Sequence, residues 1–158
     1  MSITLVVAKA ANNCIGKNGK LPWHIPEDAK HFRDVTWGKT VVMGRKTWES
    51  LPLRFKPLPG RKNVVITRDR SFSAPGATVF HDLQEALESL KGEDICIGGG
   101  AEIYKESLPF ANKIELTQIH KEYNGDTFFP EINPREWRCI KEDKHDGFSF
   151  LIYERNSL

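Results

Sequence analysis

Short runs of β-branched and apolar residues, most of them followed by a helix-like segment, constrain the fold more than any other feature of this chain. The runs cover residues 3–8, 40–44, 63–67 and 94–98. Continuous apolar runs of this length are typical of strands that are buried on both faces, as in parallel sheets. We therefore predict an α/β fold in which a mostly parallel sheet is covered by helices.

Helix signals and further strands complete this pattern. Residues 113–119 alternate between apolar and polar side chains, which predicts a half-exposed strand. Residues 148–153 predict a last strand, added antiparallel at the C-terminal edge of the sheet. Helices are expected over 26–37, 45–51, 83–90 and 101–108, and a short strand over 78–80. In open sheets of this kind, ligands bind outside the carboxyl ends of the strands.

Length, composition and charge fit one soluble globular domain that spans residues 1–158. The chain has 158 residues, of which 28% are charged and 39% hydrophobic, and its net charge is only +2. That balance argues against nucleic acid and against an anionic membrane surface as partners. The longest apolar run near the start is too short for a signal peptide or a membrane span.

Cysteine and histidine usage argues against metal sites and disulfides. The three cysteines, Cys14, Cys96 and Cys139, are widely spaced and form no CxxC pair, which fits a reducing cytosol. The five histidines show no ligand spacing either, so we predict no metal and place the histidines at the surface.

Residues 21–32, which lead into and begin the first predicted helix, contain the first candidate catalytic residue. Pro26 fits the first helical turn, where its missing N–H has no partner to lose, and Glu27 and Asp28 suit the positive end of the helix dipole. Helical spacing puts Asp28 on the side of Phe32, against apolar surface, where a carboxyl group gains proton affinity and can serve as an acid or base. The polar stripe expected to face water comprises Glu27, Lys30, His31 and Asp34. The alternative is that Asp28 is only a helix-start acid and that the nearby Trp23 only fills the core.

Two strand-to-helix junctions have the composition of phosphate sites. They are residues 44–47, with sequence Gly-Arg-Lys-Thr, and residues 98–100, with three glycines. Glycine permits a tight turn and close approach of a ligand, and the following helix offers free N–H groups to an anion. Neither is a GxGxxG fingerprint, because Ile103 stands where the last glycine would be. Each could be a simple turn, but together they suit a dinucleotide, and Thr67 with Arg68 could meet an additional 2′-phosphate.

These motifs, taken in order, resemble the dihydrofolate reductase family of bacteria over essentially the whole chain. The matching segments are residues 15–16, 21–23, 26–28, 42–51, 57–63, 99–104, 116–117 and 125–130. The resemblance implies a single-domain fold with an eight-stranded, mostly parallel central sheet, an antiparallel C-terminal strand and about four flanking helices. It also implies NADPH-dependent reduction of 7,8-dihydrofolate to tetrahydrofolate in one-carbon metabolism, with hydride transfer to C6 and protonation of N5. Antifolates such as trimethoprim and methotrexate are then expected inhibitors.

The same resemblance implies roles for individual residues. Asp28 would bind the pterin amino group and N3 and support protonation of N5 through water near Trp23, while Arg61 would pair with the α-carboxylate of the glutamate tail. The implied catalytic residues are Leu21, Trp23, Asp28 and Thr117. The implied substrate-binding residues are Val6, Val7, Asp28, Ala29, Phe32, Leu51, Lys56, Leu58, Arg61, Gly98, Tyr104 and Thr117. The implied NADPH-binding residues are Ala8, Ile15, Gly16, Asn18, Gly19, Lys20, Leu21, Gly44, Arg45, Lys46, Thr47, Thr67, Arg68, His81, Gly99, Gly100, Ala101, Glu102, Ile103 and Tyr104.

Further expectations follow from the family pattern and from departures from it. A cis peptide is expected at Gly99-Gly100, and residues 16–21 match a mobile loop. Aligned without a gap, Gly98 stands where a larger apolar residue is usual, which opens space or shifts the register. Ala29 replaces a commonly bulkier residue, so the pterin pocket is expected to be remodelled and inhibitor affinities altered. The family is usually monomeric, and we expect a cytoplasmic monomer. Two alternatives remain at this point: a pyrimidinone reductase of riboflavin synthesis, which shares the fold, and a pterin- or nucleotide-binding module without turnover.

Overall fold

The apolar runs of the sequence form the strands of one eight-stranded sheet in the computed structural model, which describes residues 2–156. The strands are β1 Ser2–Lys9, β2 Cys14–Gly16, β3 Thr40–Gly44, β4 Lys62–Ile66, β5 Thr78–Phe80, β6 Asp94–Ile97, β7 Lys113–Ile119, β8 Thr127–Phe128, β9 Trp137–Lys144 and β10 Phe148–Arg155. The α-helices are α1 Pro26–Thr36, α2 Arg45–Ser50, α3 Leu83–Ser89 and α4 Ala101–Ser107. Short 3-10 helices cover Leu53–Phe55 and Leu108–Phe110.

The order of strands across the main sheet is β5-β4-β3-β6-β1-β7-β10-β9. The six strands from β5 to β7 are parallel, whereas β10 runs antiparallel to β7 and β9 runs antiparallel to β10. The predicted fold class, its eight strands and its four helices are confirmed. The C-terminal addition contains two antiparallel strands, because β9 pairs with β10 along most of its length. A separate small sheet joins β2 to β8.

The central strands are buried on both faces, as their composition predicts. In β3, Val42 packs into one apolar cluster, while Val41 and Met43 pack into the cluster on the opposite face. The same division separates Leu5 from Val6 in β1, since successive side chains of a strand point to opposite faces. Each such buried aliphatic side chain stabilises the fold by about 1.5–3 kcal/mol.

The half-exposed character predicted for residues 113–119 is wrong. In β7, the four residues from Ile114 to Thr117 are all buried, although their sequence alternates between apolar and polar types. The reason is the position of β7 between β1 and β10, with α1 packed over one face. The polar side chains Glu115 and Thr117 therefore lie beneath a helix rather than in water.

His31 also departs from the sequence expectation. Glu27, Lys30 and Asp34 of α1 are exposed as predicted, but the His31 ring is stacked on Phe150 of β10, with ring centroids 3.9 Å apart. A helical wheel places His31 at the edge of the polar stripe, and packing of α1 on the sheet covers that edge. Both the predicted water-facing position and the surface location of this histidine are therefore incorrect.

The remaining global expectations concern cysteines, metals and membranes. Cys14 and Cys96 are buried, Cys139 is exposed, and all three are free. Burial raises the pKa of the Cys96 thiol to about 11, so this thiol stays protonated at neutral pH. Within residues 2–156, no cluster of side chains is suited to hold a metal ion. In the same part of the chain, no helix is long and apolar enough to cross a membrane.

Candidate active site

A cleft of about 1880 Å³ opens at the carboxyl ends of the parallel strands. Its walls come from α1, from the loop that precedes α1, and from the junctions where β3 and β6 turn into helices. All residues predicted for the site line this cleft except Asn18 and Lys56. The topology thus brings together segments that are as far apart in the sequence as Val6 and Thr117.

Asp28 lies half-buried in the first turn of α1 and faces β7. The hydroxyl Oγ1 of Thr117 donates a hydrogen bond of 2.6 Å to Asp28 Oδ1. Burial raises the pKa of the Asp28 carboxyl group above its ordinary value, and it outweighs the opposing effects of the Thr117 hydrogen bond and of the charge on His31. Asp28 is therefore a carboxyl group with increased proton affinity inside a cleft, as the sequence predicts.

We expect Asp28→Asn to increase the stability of the protein at neutral pH. A carboxyl group whose pKa is raised by folding stabilises the folded state fully only below its unfolded-state pKa, and this contribution is lost as pH rises through the folded-state pKa. Asn removes the buried charge and can still accept the hydrogen bond from Thr117, so the free energy of unfolding should rise by about 1 kcal/mol. Urea denaturation at several pH values measures the difference.

The gain should shrink at acidic pH, where the wild-type carboxyl group is itself protonated. Asp34→Asn is the matched control, because Asp34 is exposed on the same helix and its pKa is lowered by its hydrogen bond with Lys30. A variant at Asp28 that is less stable than wild type at neutral pH would contradict the prediction.

Trp23 and Tyr104 line the same cleft as Asp28, but their polar atoms differ in hydrogen bonding. Trp23 lines the cleft, and its Nε1 is buried and has no hydrogen-bond partner within residues 2–156. The indole packs edge-on against Tyr123, with centroids 5.3 Å apart. The Tyr104 hydroxyl, in contrast, donates a 2.7 Å hydrogen bond to the Val6 carbonyl. Burial, with a smaller effect of the Asp28 charge, raises the Tyr104 pKa, so this hydroxyl remains a neutral structural donor.

Arg61 lies at one end of the cleft with its guanidinium group held in place. Its Nε donates to the Pro59 carbonyl at 2.8 Å, and its Nη1 donates to Thr36 Oγ1 at 3.2 Å. Partial burial, with a smaller effect of the Arg33 charge, lowers the Arg61 pKa, although the group stays charged at any working pH. No carboxylate among residues 2–156 forms an ion pair with Arg61, so its remaining N–H groups can bind an anion.

Lys56, the neighbouring residue predicted for substrate binding, does not line the cleft. Its ammonium group donates to the Glu49 carbonyl at 3.4 Å. Apolar walls lead from Arg61 toward Asp28 and include Phe32, Leu51 and Leu58.

The two glycine-containing junctions are direct neighbours. The Gly44 N–H donates to the Gly99 carbonyl at 2.8 Å, because β3 and β6 are adjacent strands. A Cβ atom on Gly99 would lie 3.2 Å from the Tyr104 ring, and one on Gly100 would lie 3.5 Å from Thr47 Oγ1. Gly99 also has a positive φ of 105°. A side chain at Gly99 would therefore crowd Tyr104, and the two glycines leave the backbone open to close approach of a pyrophosphate at two helix N-termini. The predicted cis peptide at Gly99-Gly100 is confirmed.

The far end of this surface contains the residues predicted to meet a 2′-phosphate. His81 Nδ1 lies 2.9 Å from the Thr67 carbonyl, and Arg68 is 89% exposed, with its Nη2 3.9 Å from Glu102 Oε1. Arg45 is held more firmly, because its Nη1 forms a 2.8 Å ion pair with Asp69. Asp69 and Glu102 therefore offset part of the positive charge of Arg45 and Arg68, although the Arg68 side chain is largely exposed to water.

The loop before α1 forms a tight turn at its tip. Lys17 and Lys20 exchange backbone hydrogen bonds of 2.8 and 3.0 Å, and Asn18 and Gly19 between them have positive φ. The Asn18 N–H donates to Asp126 Oδ2 at 3.0 Å, which lowers the pKa of Asp126. This contact directs Asn18 toward the loop that precedes β8, and Asn18 does not line the cleft.

Gly98 does not open space in the way that the resemblance to the family suggests. A Cβ atom at Gly98 would lie 3.3 Å from Val41 Cγ1 and 3.7 Å from Phe32 Cζ. The neighbouring side chains therefore already fill most of that volume, and the expected extra space is not present there. Ala29 is exposed on the cleft wall and does leave room beside Asp28.

Several lining residues were not predicted from the sequence, among them Ile25, Arg33, Ser50 and Phe55. Arg33 follows Ala29 by one helical turn, so helical spacing was a signal that could have found it. Phe55 belongs to a 3-10 helix inside a proline-rich loop, for which the sequence provides no regular pattern.

Comparison with known proteins identifies the family. The family model described as dihydrofolate reductase matches residues 2–155. The chain belongs to the dihydrofolate reductase family. It is 48% identical to the dihydrofolate reductase of Neisseria gonorrhoeae over 139 residues, which cover 87% of this chain and 85% of that protein. It is 37% identical to the enzyme of Bacillus subtilis strain 168 over 98% of this chain and 95% of that protein.

A solved structure agrees with this assignment to the dihydrofolate reductases. The fold is similar to that of dihydrofolate reductase from Enterococcus faecalis complexed with NADP(H) and RAB-propyl, with a TM-score of 0.88 and 33% sequence identity. The similarity covers 99% of this chain and 97% of that chain. Membership in the dihydrofolate reductase family over nearly the whole length argues against the pyrimidinone reductase alternative.

Proposed function

We propose that this protein reduces 7,8-dihydrofolate to 5,6,7,8-tetrahydrofolate with NADPH, by hydride transfer to C6 and protonation of N5. The observation that carries this proposal is the Asp28–Thr117 pair, a half-buried carboxyl group of raised pKa hydrogen-bonded to a strand hydroxyl within the cleft. The same cleft contains both glycine junctions, so a pterin and a dinucleotide can lie side by side. Family membership and the NADP(H) complex of the Enterococcus relative support the same assignment.

We assign substrate recognition to three anchoring residues and an apolar wall. Asp28 accepts hydrogen bonds from the pterin amino group and N3, and Thr117 adds a hydroxyl that orients the carboxylate. Arg61 at the other end of the cleft binds the α-carboxylate of the glutamate tail, for which a fixed guanidinium fork is suited. The apolar residues between these ends contact the rings of the substrate. They are Val6, Val7, Ala29, Phe32, Leu51 and Leu58.

Protonation of N5 depends on the proton affinity of Asp28. The buried carboxyl group favours its protonated form more than an exposed one does, and the unpartnered Trp23 N–H can hold a water molecule that connects this proton with the substrate. The reaction consumes a proton, so the rate should fall as pH rises past the pKa of the controlling acid.

The residues at the glycine junctions fit NADPH. NADPH, when bound, supplies the hydride. Gly44, Gly99 and Gly100 leave the backbone accessible to the pyrophosphate, Thr47 adds a hydroxyl donor, and Arg68 with Thr67 lies where a 2′-phosphate can be recognised. Holding both rings in one cleft reduces the entropy lost on reaching the transition state and accounts for much of the expected rate.

The wider role follows from the reaction. Tetrahydrofolate carries one-carbon units for thymidylate and purine synthesis, and antifolates of the trimethoprim and methotrexate type are expected to occupy the pterin pocket. We further propose that the protein acts as a cytoplasmic monomer and that residues 1–158 form one domain, without nucleic acid or membrane as a partner.

The direct test is NADPH oxidation, followed by the fall in absorbance, with and without dihydrofolate. We expect oxidation that depends on dihydrofolate, with tetrahydrofolate as the product, and no comparable oxidation with the pyrimidinone intermediate of riboflavin synthesis. Turnover of the pyrimidinone alone, or tight antifolate binding without any turnover, would overturn the assignment.

Ala29→Leu is expected to lower the inhibition constants of diaminopyrimidine antifolates by about tenfold. The added methylene and methyl groups extend an exposed part of the cleft wall beside Asp28, and each apolar group buried against a ligand contributes on the order of 1 kcal/mol. Inhibition constants at fixed dihydrofolate concentration measure the change. Ala11→Leu, at an exposed alanine outside the cleft lining, is the matched control. Unchanged constants for Ala29→Leu would show that this wall does not contact the inhibitor.

A further inference from the structure

A second partly buried titratable side chain, His31, lies one helical turn after Asp28 on the face of α1 that packs against the sheet. The imidazole side chain is 23% exposed, and its Nε2 is buried and has no hydrogen-bond partner within residues 2–156. The nearest carboxylate oxygen is Glu115 Oε2, 3.9 Å from Nε2. The ring plane lies nearly parallel to that of Phe150, with an interplanar angle of 14°.

The position of His31 is linked to Asp28 through two neighbouring strands. Thr117, which binds Asp28, follows Glu115 by two residues on β7, so both side chains point to the same face of the sheet. Thr117 is also the cross-strand partner of Phe150, on which His31 stacks. Asp28 and His31 therefore contact the same small region of sheet, and they interact electrostatically, since the charge on His31 favours the ionised form of Asp28.

Other charged groups lie close to this region. Lys113 Nζ lies 3.3 Å from the other Glu115 oxygen, and Asp34 is an exposed neighbour on α1. From the β9–β10 hairpin, His145 contacts Phe150 edge-on at 5.1 Å and pairs with Asp143 at 3.0 Å. Within residues 2–156, Asp28, Asp34 and Glu115 thus interact with His31 itself, Lys113 neighbours Glu115, and Asp143 and His145 lie beside Phe150.

We propose that His31, paired with Glu115, is a positioning residue that sets the pH range over which Asp28 changes its protonation state and hence the pH range of catalysis. A positive charge at His31, 3.9 Å from Glu115 Oε2, favours the ionised forms of both Glu115 and Asp28. Without that charge, Asp28 binds its own proton more readily. This inference rests on the proposed reduction of dihydrofolate, but it concerns a residue that does not itself contact the reacting atoms.

A pair of charge variants tests the proposal. His31→Phe keeps an aromatic ring for stacking on Phe150 and has no charge at any pH, whereas His31→Lys carries a positive charge throughout the working range. For dihydrofolate reduction with NADPH, we expect the fall in kcat/KM with rising pH to move to higher pH in His31→Phe and to lower pH in His31→Lys. The ratio of activity at alkaline pH to activity at acidic pH should change by roughly two- to fivefold in opposite directions.

A role in packing alone would move both profiles in the same direction or lower both rates at every pH, and either result would overturn the proposal. His120→Phe is the matched control, because His120 is exposed at the end of β7 and its ring contacts Ser149, away from the cleft. Thermal unfolding identifies the folded variants. If one of the two His31 variants does not fold, the direction in which the pH profile of the other moves still tests the proposal.

A binding experiment separates failure of this inference from failure of the proposed reaction. Fluorescence titration with trimethoprim, a basic diaminopyrimidine, reports ionised Asp28 without any turnover. We expect the acidic fall in affinity to move to higher pH in His31→Phe and to lower pH in His31→Lys. Absence of dihydrofolate reduction in the wild-type protein would overturn the proposed function, whereas coincident binding profiles in wild type and variants would overturn the role of His31.

Discussion

Asp28→Asn is expected to lower kcat/KM for dihydrofolate near neutral pH by about 10²- to 10⁴-fold, the range typical of a lost general acid or base. Asn has nearly the same shape and can accept the hydrogen bond from Thr117, so the cleft should keep its geometry. In the proposed mechanism, Asn can neither bear the charge that pairs with the pterin nor supply a proton. Part of the activity should return at low pH, where the substrate arrives already protonated. The measurement is the complete pH profile of kcat and kcat/KM for both proteins.

Glu27→Gln serves as the control for Asp28→Asn, because Glu27 is exposed on the same helix and does not line the cleft. Its profile should coincide with that of the wild type. Full activity of Asp28→Asn at neutral pH would leave the reductase assignment in place but remove Asp28 as the group that delivers the proton.

Arg61→Leu is expected to raise KM for dihydrofolate by about 30- to 1000-fold, with a smaller change in kcat. The expected loss corresponds to about 2–4 kcal/mol for a charge-assisted pair in a partly desolvated position. The guanidinium is fixed by Pro59 and Thr36, so its remaining donors are oriented before the substrate binds. Arg61→Lys should fall between wild type and Arg61→Leu, since an ammonium group cannot form two parallel hydrogen bonds with a carboxylate.

A truncated substrate provides the decisive comparison for Arg61. A dihydropterin without the glutamate tail should react with similar KM in wild type and Arg61→Leu. Lys62→Gln is a matched control, because Lys62 is the adjacent cation but pairs with Glu93 on the exterior. Equal losses for the tailed and tailless substrates would show that Arg61 maintains the fold of the cleft and does not recognise the tail.

The central sheet could be predicted because buried parallel strands need continuous apolar sequence, and the runs at β1, β3, β4 and β6 have it. Strand β9 could not be found in this way, since its sequence is mostly charged and it is exposed along nearly its whole length. Strands β2 and β8 contain three and two residues, which is too short for any periodic pattern. The burial of β7 depends on its neighbours in the sheet, and local alternation does not reveal them.

Some features of the candidate site could likewise be predicted from the sequence, and others could not. The inward position of Asp28 follows from its spacing to Phe32 on one helix, and the two glycine junctions follow from strand-to-helix boundaries. The pairing of Asp28 with Thr117 depends on a contact 89 residues away in sequence, and it was expected only from resemblance to the family. The burial of His31 was missed because a helical wheel describes one helix, whereas Phe150 and Glu115 belong to the sheet beneath it.

The two edges of the main sheet bear on how this protein behaves at high concentration. One edge is β5, only three residues long, and the other is β9, whose outer residues include Lys141, Glu142, Asp143 and Lys144. A register shift near Ile152 and Tyr153 also interrupts the regular pairing of β9 with β10. Short edges, charged edges and bulges all hinder the addition of a strand from another molecule. Both edges are therefore poor templates for fibril growth, and the charges along β9 protect against aggregation even though they contribute little to the core.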